Sequence, residues 1–148
     1  MTLTEAFCRR YGLKVAIVGR PNVGKSTLFN RLCGKRLAIV HDMPGVTRDR
    51  NEAFGHLGDI PLKLIDTAGI ENKKHTPLEE GMKAQVIEAL FKADVAIFMI
   101  DGREGVTPLE QSFVGFLRKI NLPVVLVVNK CEGKEGVLGA SEAWKLGF

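Results

Sequence analysis

The segment Gly19–Ser26 constrains the fold more than any other part of the sequence. It reads Gly-Arg-Pro-Asn-Val-Gly-Lys-Ser, matches the pattern G-x-x-x-x-G-K-[ST], and lies between an apolar run and an amphipathic segment. The two glycines of this pattern let the backbone wrap a phosphate chain, while backbone N–H groups and the lysine supply positive charge. We therefore predict a phosphate-binding loop between a strand and a helix, with the Ser26 hydroxyl on Mg²⁺. The residues expected to bind the ligand are Gly19, Arg20, Pro21, Asn22, Val23, Gly24, Lys25, Ser26 and Thr27.

Short apolar runs alternate with longer amphipathic segments along the rest of the chain. Runs rich in Val and Ile are typical of buried strands, and apolar residues at i, i+3 and i+4 are typical of helices. The pattern predicts an α/β fold with a doubly wound, mostly parallel sheet and helices on both faces. Strands are predicted at 13–18, 62–65, 95–100 and 124–128, an edge strand at 51–57, and helices at 25–32, 77–91, 108–120 and 135–146.

Length and charge limit the possible partners. The 148 residues suffice for one domain with one core. The net charge of +4 is uneven, because residues 1–50 carry ten basic and three acidic groups. That imbalance favours an anionic partner for the first third of the chain. Three cysteines without paired spacing indicate reduced thiols and a cytoplasmic location. No apolar stretch approaches the ~18 residues of a membrane span, so no membrane partner is expected.

An acidic residue follows the predicted strand at 62–65, where a phosphate-binding loop requires a metal partner. The strand runs directly into Asp66-Thr67-Ala68-Gly69. The pattern D-x-x-G is weak evidence alone, since Asp42-Met43-Pro44-Gly45 also matches it. We favour Asp66 as the Mg²⁺ ligand because it ends a strand, whereas Asp42 lies inside a long loop. Thr67, Ala68 and Gly69 are then expected beside the nucleotide.

A third polar segment, Asn129-Lys130-Cys131-Glu132, follows the predicted strand at 124–128. The Glu132 carboxylate can accept hydrogen bonds from N1–H and the exocyclic amine of guanine, which adenine does not offer. The Lys130 stem can lie over the base. This position predicts a guanine-recognition loop, with a charged turn as the alternative.

These motifs together make the chain resemble the first GTPase domain of the EngA family, also called Der. The resemblance covers residues 13–148 and also includes Pro-Gly-Val-Thr-Arg-Asp at 44–49 and Asp-Thr-Ala-Gly-Ile at 66–70. It implies a switch that binds GTP and GDP, hydrolyses GTP, and acts with ribosomal RNA in assembly of the large ribosomal subunit. No DNA partner is expected.

The resemblance also implies roles for individual residues. Thr47 would reach Mg²⁺ and the γ-phosphate when GTP is bound, and the Gly69 N–H would donate to the γ-phosphate. Ile70 lies where Ras-like enzymes carry a water-orienting Gln, and a hydrocarbon cannot hydrogen-bond water. The resemblance to similar bacterial GTPases leads us to predict that Asn22 helps to bind a K⁺ ion that acts in place of an arginine finger. Arg20, Arg48 and Arg50 are rival cations.

Two departures from the family pattern qualify this interpretation. Glu132 stands where most GTPases have Asp, which lengthens the side chain by one methylene. The last strand and helix of such a domain, with the loop that donates to guanine O6, are not present. We therefore expect residues 1–148 to be a fragment of a longer protein, an N-terminal extension at 1–12 followed by the GTPase domain. We expect an exposed sheet edge and weakened nucleotide binding, or an association that covers the edge. The alternatives are a non-catalytic module that senses guanine nucleotide and recruits RNA or protein, and a P-loop ATPase, which Asn129 to Glu132 disfavour.

Overall fold

A computed structural model describes residues 3–34, 52–67 and 86–148, apart from the side chains of residues 3–5 and 66. The described strands are β1 (Leu13–Gly19), β2 (Glu52–Leu57), β3 (Ile60–Asp66), β4 (Val95–Asp101) and β5 (Val124–Asn129). The helices are α1 (Leu3–Tyr11), α2 (Lys25–Cys33), α3 (Pro108–Lys119) and α4 (Lys134–Trp144). Residues 86–92 are also helical.

The five strands form one sheet in the order β2-β3-β1-β4-β5. β1 pairs in parallel with β3 and β4, and β4 pairs in parallel with β5. β2 is antiparallel to β3 and lies at one edge. The two-residue turn between them contains Gly58 at φ +61°, a conformation that glycine adopts without strain. The predicted α/β class, the mostly parallel sheet and the edge strand are confirmed.

Alternating side chains of the strands pack into two cores on opposite faces of the sheet. Ile17 and Leu64 join Phe29 of α2 on one face. Ala16 and Phe98 join Leu117 of α3 on the other. Since successive side chains of a strand point to opposite faces, a central strand buried on both faces reads as a continuous apolar run. This explains why the runs at 13–18 and 95–100 identified their strands.

Helix boundaries follow local chemistry. α2 ends at Gly34, whose left-handed backbone (φ +74°) lets its N–H donate to the last carbonyls of the helix. α3 begins with a capping box between Thr107 and Glu110, and Pro108 occupies its first turn. The predicted helices at 25–32, 108–120 and 135–146 agree with α2, α3 and α4 to within two residues. Of the helix predicted at 77–91, only the helical residues from 86 onwards are described.

The sequence interpretation missed α1. This helix packs against β2 and β3, with Cys8 buried and its thiol directed at the Gly55 carbonyl oxygen at 3.4 Å. Arg9 lies over the ring of Phe54, 5.4 Å from the ring centroid. These partners are more than 40 positions away along the chain, so α1 owes its place to tertiary contacts that helical periodicity does not report.

β5 is the other edge of the described sheet and pairs with β4. Val125, near the start of this strand, is 51% exposed. The exposed sheet edge expected from the sequence stays a prediction.

Candidate guanine-nucleotide site

The parallel strands end together at one side of the sheet, and the polar motifs lie there. Gly19 ends β1, Asp66 ends β3, Asp101 ends β4 and Asn129 ends β5. The register places Asp101 opposite Asn129 and Gly19 opposite Met99. Ligands of open α/β sheets bind in the crevice outside the carboxyl ends of the strands. The ends of β1, β3 and β5, from which the three motifs start or continue, therefore lie at the same end of the sheet.

The phosphate-binding loop depends on its two glycines. Gly19 has φ +153°, and an added Cβ would lie 2.5 Å from the Met99 carbonyl oxygen. Gly24 has φ +111°, and an added Cβ would collide with the side-chain nitrogen of Asn129. Both positions therefore require glycine. The lack of a side chain at Gly24 also leaves room for the Asn129 side chain between the phosphate loop and the base loop. Such a cradle fits a phosphate chain bound by backbone N–H groups.

Lys25 is the buried cation of the loop. Only 3% of its surface is exposed, and its Nζ donates to the carbonyl oxygens of Gly19 at 2.6 Å and Arg20 at 2.7 Å. Ser26 and Thr27, at the start of α2, are exposed. The lysine is therefore held against the loop backbone at the N-terminus of α2, where anions are stabilised.

The base loop is bonded directly to the phosphate loop. Asn129 Nδ2 donates to the Val23 carbonyl oxygen at 2.9 Å, and Lys130 Nζ donates to the Asn22 carbonyl oxygen at 2.8 Å. Asn22 and Lys130 both have left-handed backbones, at φ +66° and +59°. Strained conformations of this kind persist where surrounding contacts over-determine them and cluster at ligand sites. More than 100 residues separate the two loops in sequence, yet they form one hydrogen-bonded unit.

Comparison with known proteins identifies this arrangement. The profile of a family described as "50S ribosome-binding GTPase" matches residues 14–130. This chain belongs to that family. The match runs from β1 through the phosphate loop to Lys130, the second residue of the base loop.

Two curated relatives are named GTPase Der, which confirms the resemblance to the EngA/Der family. The protein from Hyphomonas neptunium is 57% identical over 136 residues, or 92% of this chain and 27% of its own length. The protein from Parvibaculum lavamentivorans is 56% identical over 135 residues, covering 91% and 28%. The chain thus spans less than a third of the length of these relatives.

Solved structures show the same fold. An Era variant from Aquifex aeolicus bound to GDP and AlF4⁻ superposes with a TM-score of 0.64 at 35% identity, covering 89% of this chain and 46% of that one. Era in complex with MgGDPNP and nucleotides 1506–1542 of 16S ribosomal RNA gives a TM-score of 0.67 at 28% identity, covering 92% and 46%.

Within the GTPase fold, Asp101 is a site residue that sequence reasoning missed. It is 3% exposed, accepts the Arg103 N–H at 2.8 Å, and lies 3.4 Å from Lys130 Nζ. Burial disfavours its charge, but the hydrogen bonds from Arg103 and Lys130 outweigh burial and lower the pKa of Asp101 below its ordinary value. The ammonium group of Lys130 thus contacts both the Asp101 carboxylate and the Asn22 carbonyl oxygen. A carboxylate directly ending an apolar strand, as at Asp66, was the available sequence signal.

Arg20 is not a free cation of the phosphate loop. Its guanidinium pairs with Glu110 and Glu104, and although burial opposes its charge, these carboxylates raise the pKa of Arg20. Because its guanidinium is held by these carboxylates, Arg20 is a poorer candidate than K⁺ for the cation that neutralises charge on the phosphates.

The remaining predicted residues divide into three groups. Pro21, Asn22 and Glu132 are exposed, and the Cys131 thiol is directed at the Val128 carbonyl oxygen of β5. The buried Thr67 hydroxyl donates to the Ile17 carbonyl oxygen at 2.7 Å, so it stabilises the end of β3 against β1. Outside the described part of the chain lie Thr47, Arg48, Arg50, Ala68, Gly69 and Ile70, together with the side chain of Asp66.

No three of the His, Cys, Asp and Glu side chains described come together as a metal-binding group. Among the helices that the structure describes, none has the length and apolar character of a membrane span.

Proposed function

We propose that this domain binds guanine nucleotide with Mg²⁺ and hydrolyses GTP to GDP and phosphate as a molecular switch. The pair of hydrogen bonds from Asn129 and Lys130 to the phosphate loop carries the proposal, because it unites the predicted base and phosphate contacts in one site. The GTPase family, GTPase Der relatives and Era structures with GDP or MgGDPNP support it.

Different residues of the site would bind different parts of the nucleotide. N–H groups of the phosphate loop and Lys25 would bind the phosphates, while Glu132 would accept from guanine. Ser26, Thr47 and Asp66 would hold Mg²⁺, whose charge offsets that of the phosphates. Gly69 would donate to the γ-phosphate, and loss of that phosphate would release Thr47 and Gly69.

The residues assigned so far bind the nucleotide and Mg²⁺, but they do not orient the attacking water. Phosphoryl transfer depends mainly on positioning and electrostatics, and Ile70 cannot orient water through a hydrogen bond. We propose that Asn22, which is exposed at the loop, helps bind K⁺ near the phosphates. With Arg20 occupied by carboxylates, a bound cation is the better supported source of this charge.

The same observation at Ile70 favours one second candidate, a module that binds guanine nucleotide without hydrolysing it and recruits RNA or protein. One experiment separates the candidates: phosphate release measured with GTP and ATP in parallel, in KCl and in NaCl. The proposal predicts release from GTP alone, faster in KCl. GDP binding without release would support the non-catalytic module, release from ATP would contradict guanine specificity, and equal rates in the two salts would remove K⁺.

A role with the large ribosomal subunit and its RNA extends this proposal. The family description, which names the 50S subunit, supports it. The Era structure holds a fragment of 16S RNA, which belongs to the small subunit, so it supports contact with ribosomal RNA in general. Co-sedimentation with 50S subunits, tested with GDP and with a non-hydrolysable GTP analogue, checks it. Binding that depends on the nucleotide is expected, and absence of binding with either nucleotide would contradict it. A cytoplasmic location remains a prediction.

A further inference from the structure

The guanidinium of Arg20 lies between two carboxylates that come from the segment after β4. Its Nε donates to Glu110 at 2.7 Å, and its terminal Nη2 donates to Glu104 at 2.6 Å. The side chain of Glu110 is 1% exposed and that of Glu104 is 55% exposed, so Arg20 has one buried and one exposed partner. Charge-assisted hydrogen bonds of this length are among the strong ones in proteins. We call these three residues the Arg20 clamp.

The buried partner is itself fixed in place. The other carboxylate oxygen of Glu110 accepts from the Thr107 N–H at 2.9 Å and from the Thr107 hydroxyl, which forms the capping box of α3. The loop before α3 is also held from α4, because the Val106 N–H donates to Glu142 at 2.9 Å. The clamp therefore connects the second residue of the phosphate loop to elements that are anchored independently.

The backbone of the clamped residue forms part of the lysine cradle. Lys25 Nζ donates to the carbonyl oxygens of Gly19 and Arg20, so the position of Arg20 sets one of these two acceptors. A loop that is already held in its binding geometry avoids part of the ordering cost when a ligand arrives. Fixing the Arg20 side chain therefore helps to fix the carbonyl oxygen that positions Lys25, and so favours phosphate binding by Lys25.

We infer that the Arg20 clamp pre-orders the phosphate loop and slows nucleotide release, which makes Arg20 and Glu110 positioning residues. The inference rests on the proposed nucleotide function. Breaking the clamp would speed GDP dissociation by about tenfold, as expected for a charge-assisted contact. It would leave the preference for guanine over xanthine unchanged, because Glu132 has no part in the clamp.

The test measures dissociation rates of fluorescent GDP from Arg20→Ala, Glu110→Gln and the double variant. Residues of one network give non-additive effects. The double variant should therefore lie within about twofold of the faster single variant, whereas independent effects would multiply to about 100-fold. Arg20→Lys keeps the charge but not the two-armed geometry, so an intermediate rate is expected.

A control variant separates the clamp from the general loss of a positive charge. Arg31→Ala removes an exposed arginine of α2 that has no part in the clamp. It should dissociate GDP at a rate within about twofold of the parent, whatever its melting temperature.

The outcomes are distinguishable from failure of the proposed function. A parent protein that does not bind GDP contradicts the proposed function itself. If the parent binds GDP, two results would overturn the clamp. One is that Arg20→Ala and Glu110→Gln release GDP at the parent rate, and the other is that their effects on the dissociation rate multiply in the double variant. If those variants do not fold, Arg20→Lys and the exposed-arm variant Glu104→Gln decide, with about a twofold to threefold acceleration expected and no change contradicting the inference.

Discussion

The phosphate end and the base end of the site are built in different ways. The phosphate loop depends on backbone conformation at Gly19 and Gly24, with a buried Lys25 bonded to carbonyls of its own loop. The base loop depends on side chains, since Asn129 and Lys130 reach across to carbonyls of the phosphate loop. Substitutions of the two glycines or of Lys25 should therefore damage the first end, and side-chain substitutions in residues 129–132 the second. The hydrogen bonds between the ends mean that damage at either can reach the other.

Lys25→Ala should have the largest effect. It removes the buried charge expected on the phosphates and leaves the carbonyl oxygens of Gly19 and Arg20 without this donor. Loss of about 4 kcal/mol, in line with two or more charge-assisted hydrogen bonds, corresponds to about 1,000-fold weaker GDP binding. Calorimetric titration measures it, with Lys119→Ala, an exposed lysine at the end of α3, as the control. GDP affinity within tenfold of the parent would contradict the assignment of Lys25.

Glu132→Gln should change base preference at the other end. The substitution exchanges an acceptor for a donor, which disfavours guanine and favours xanthine, whose C2 carries an oxygen. We expect GDP binding about 100-fold weaker and XDP binding stronger than in the parent, measured by competition titration. Glu135→Gln, at an exposed carboxylate in the first turn of α4, is the matched control. An unchanged ratio of GDP to XDP affinity would remove Glu132 from the site.

Gly24→Ala tests the junction between the two ends. Its Cβ would collide with Asn129, whereas a Cβ at Gly34, also at positive φ, meets open space. Gly34→Ala should cost about 1–2 kcal/mol of unfolding free energy from backbone strain alone. Gly24→Ala should cost more and weaken GDP binding at least about tenfold, because Asn129 must leave Val23. Equal effects of the two variants on GDP affinity would argue against a junction at Gly24.

Asp101→Asn should have the smallest effect, and that effect depends on pH. The pKa of Asp101 is lowered by folding, so its contribution to stability is present above the ordinary value of 3.8 and is lost as pH falls below it. We expect Asp101→Asn to lower the unfolding free energy by about 1–2 kcal/mol at pH 7, with the difference shrinking towards pH 3.

Urea denaturation across this pH range measures the effect. Asp59→Asn, at an exposed turn between β2 and β3, provides the control. A difference for Asp101→Asn that grows as pH falls would show that the carboxylate is not stabilised by Arg103 and Lys130.

The sequence predicted the strands and the convergence of the motifs because buried parallel strands carry long apolar runs and the motifs follow their ends. It did not reveal α1, whose contacts are to β2 and β3. From the sequence, Arg20 was a rival to K⁺ as the cation near the phosphates, because the pattern around residues 19–26 contains no information about Glu104 and Glu110. Motifs identify residues that meet a ligand, whereas ion pairs with distant side chains appear only when the chain is folded.

The central claim is that both loops bind one magnesium nucleotide, and an NMR titration of the domain with MgGDP tests it most directly. The claim predicts that amide resonances of residues 19–26 and 129–132 shift together, with one dissociation constant and one equivalent of ligand. Shifts confined to one loop, or two different dissociation constants for the two loops, would contradict it.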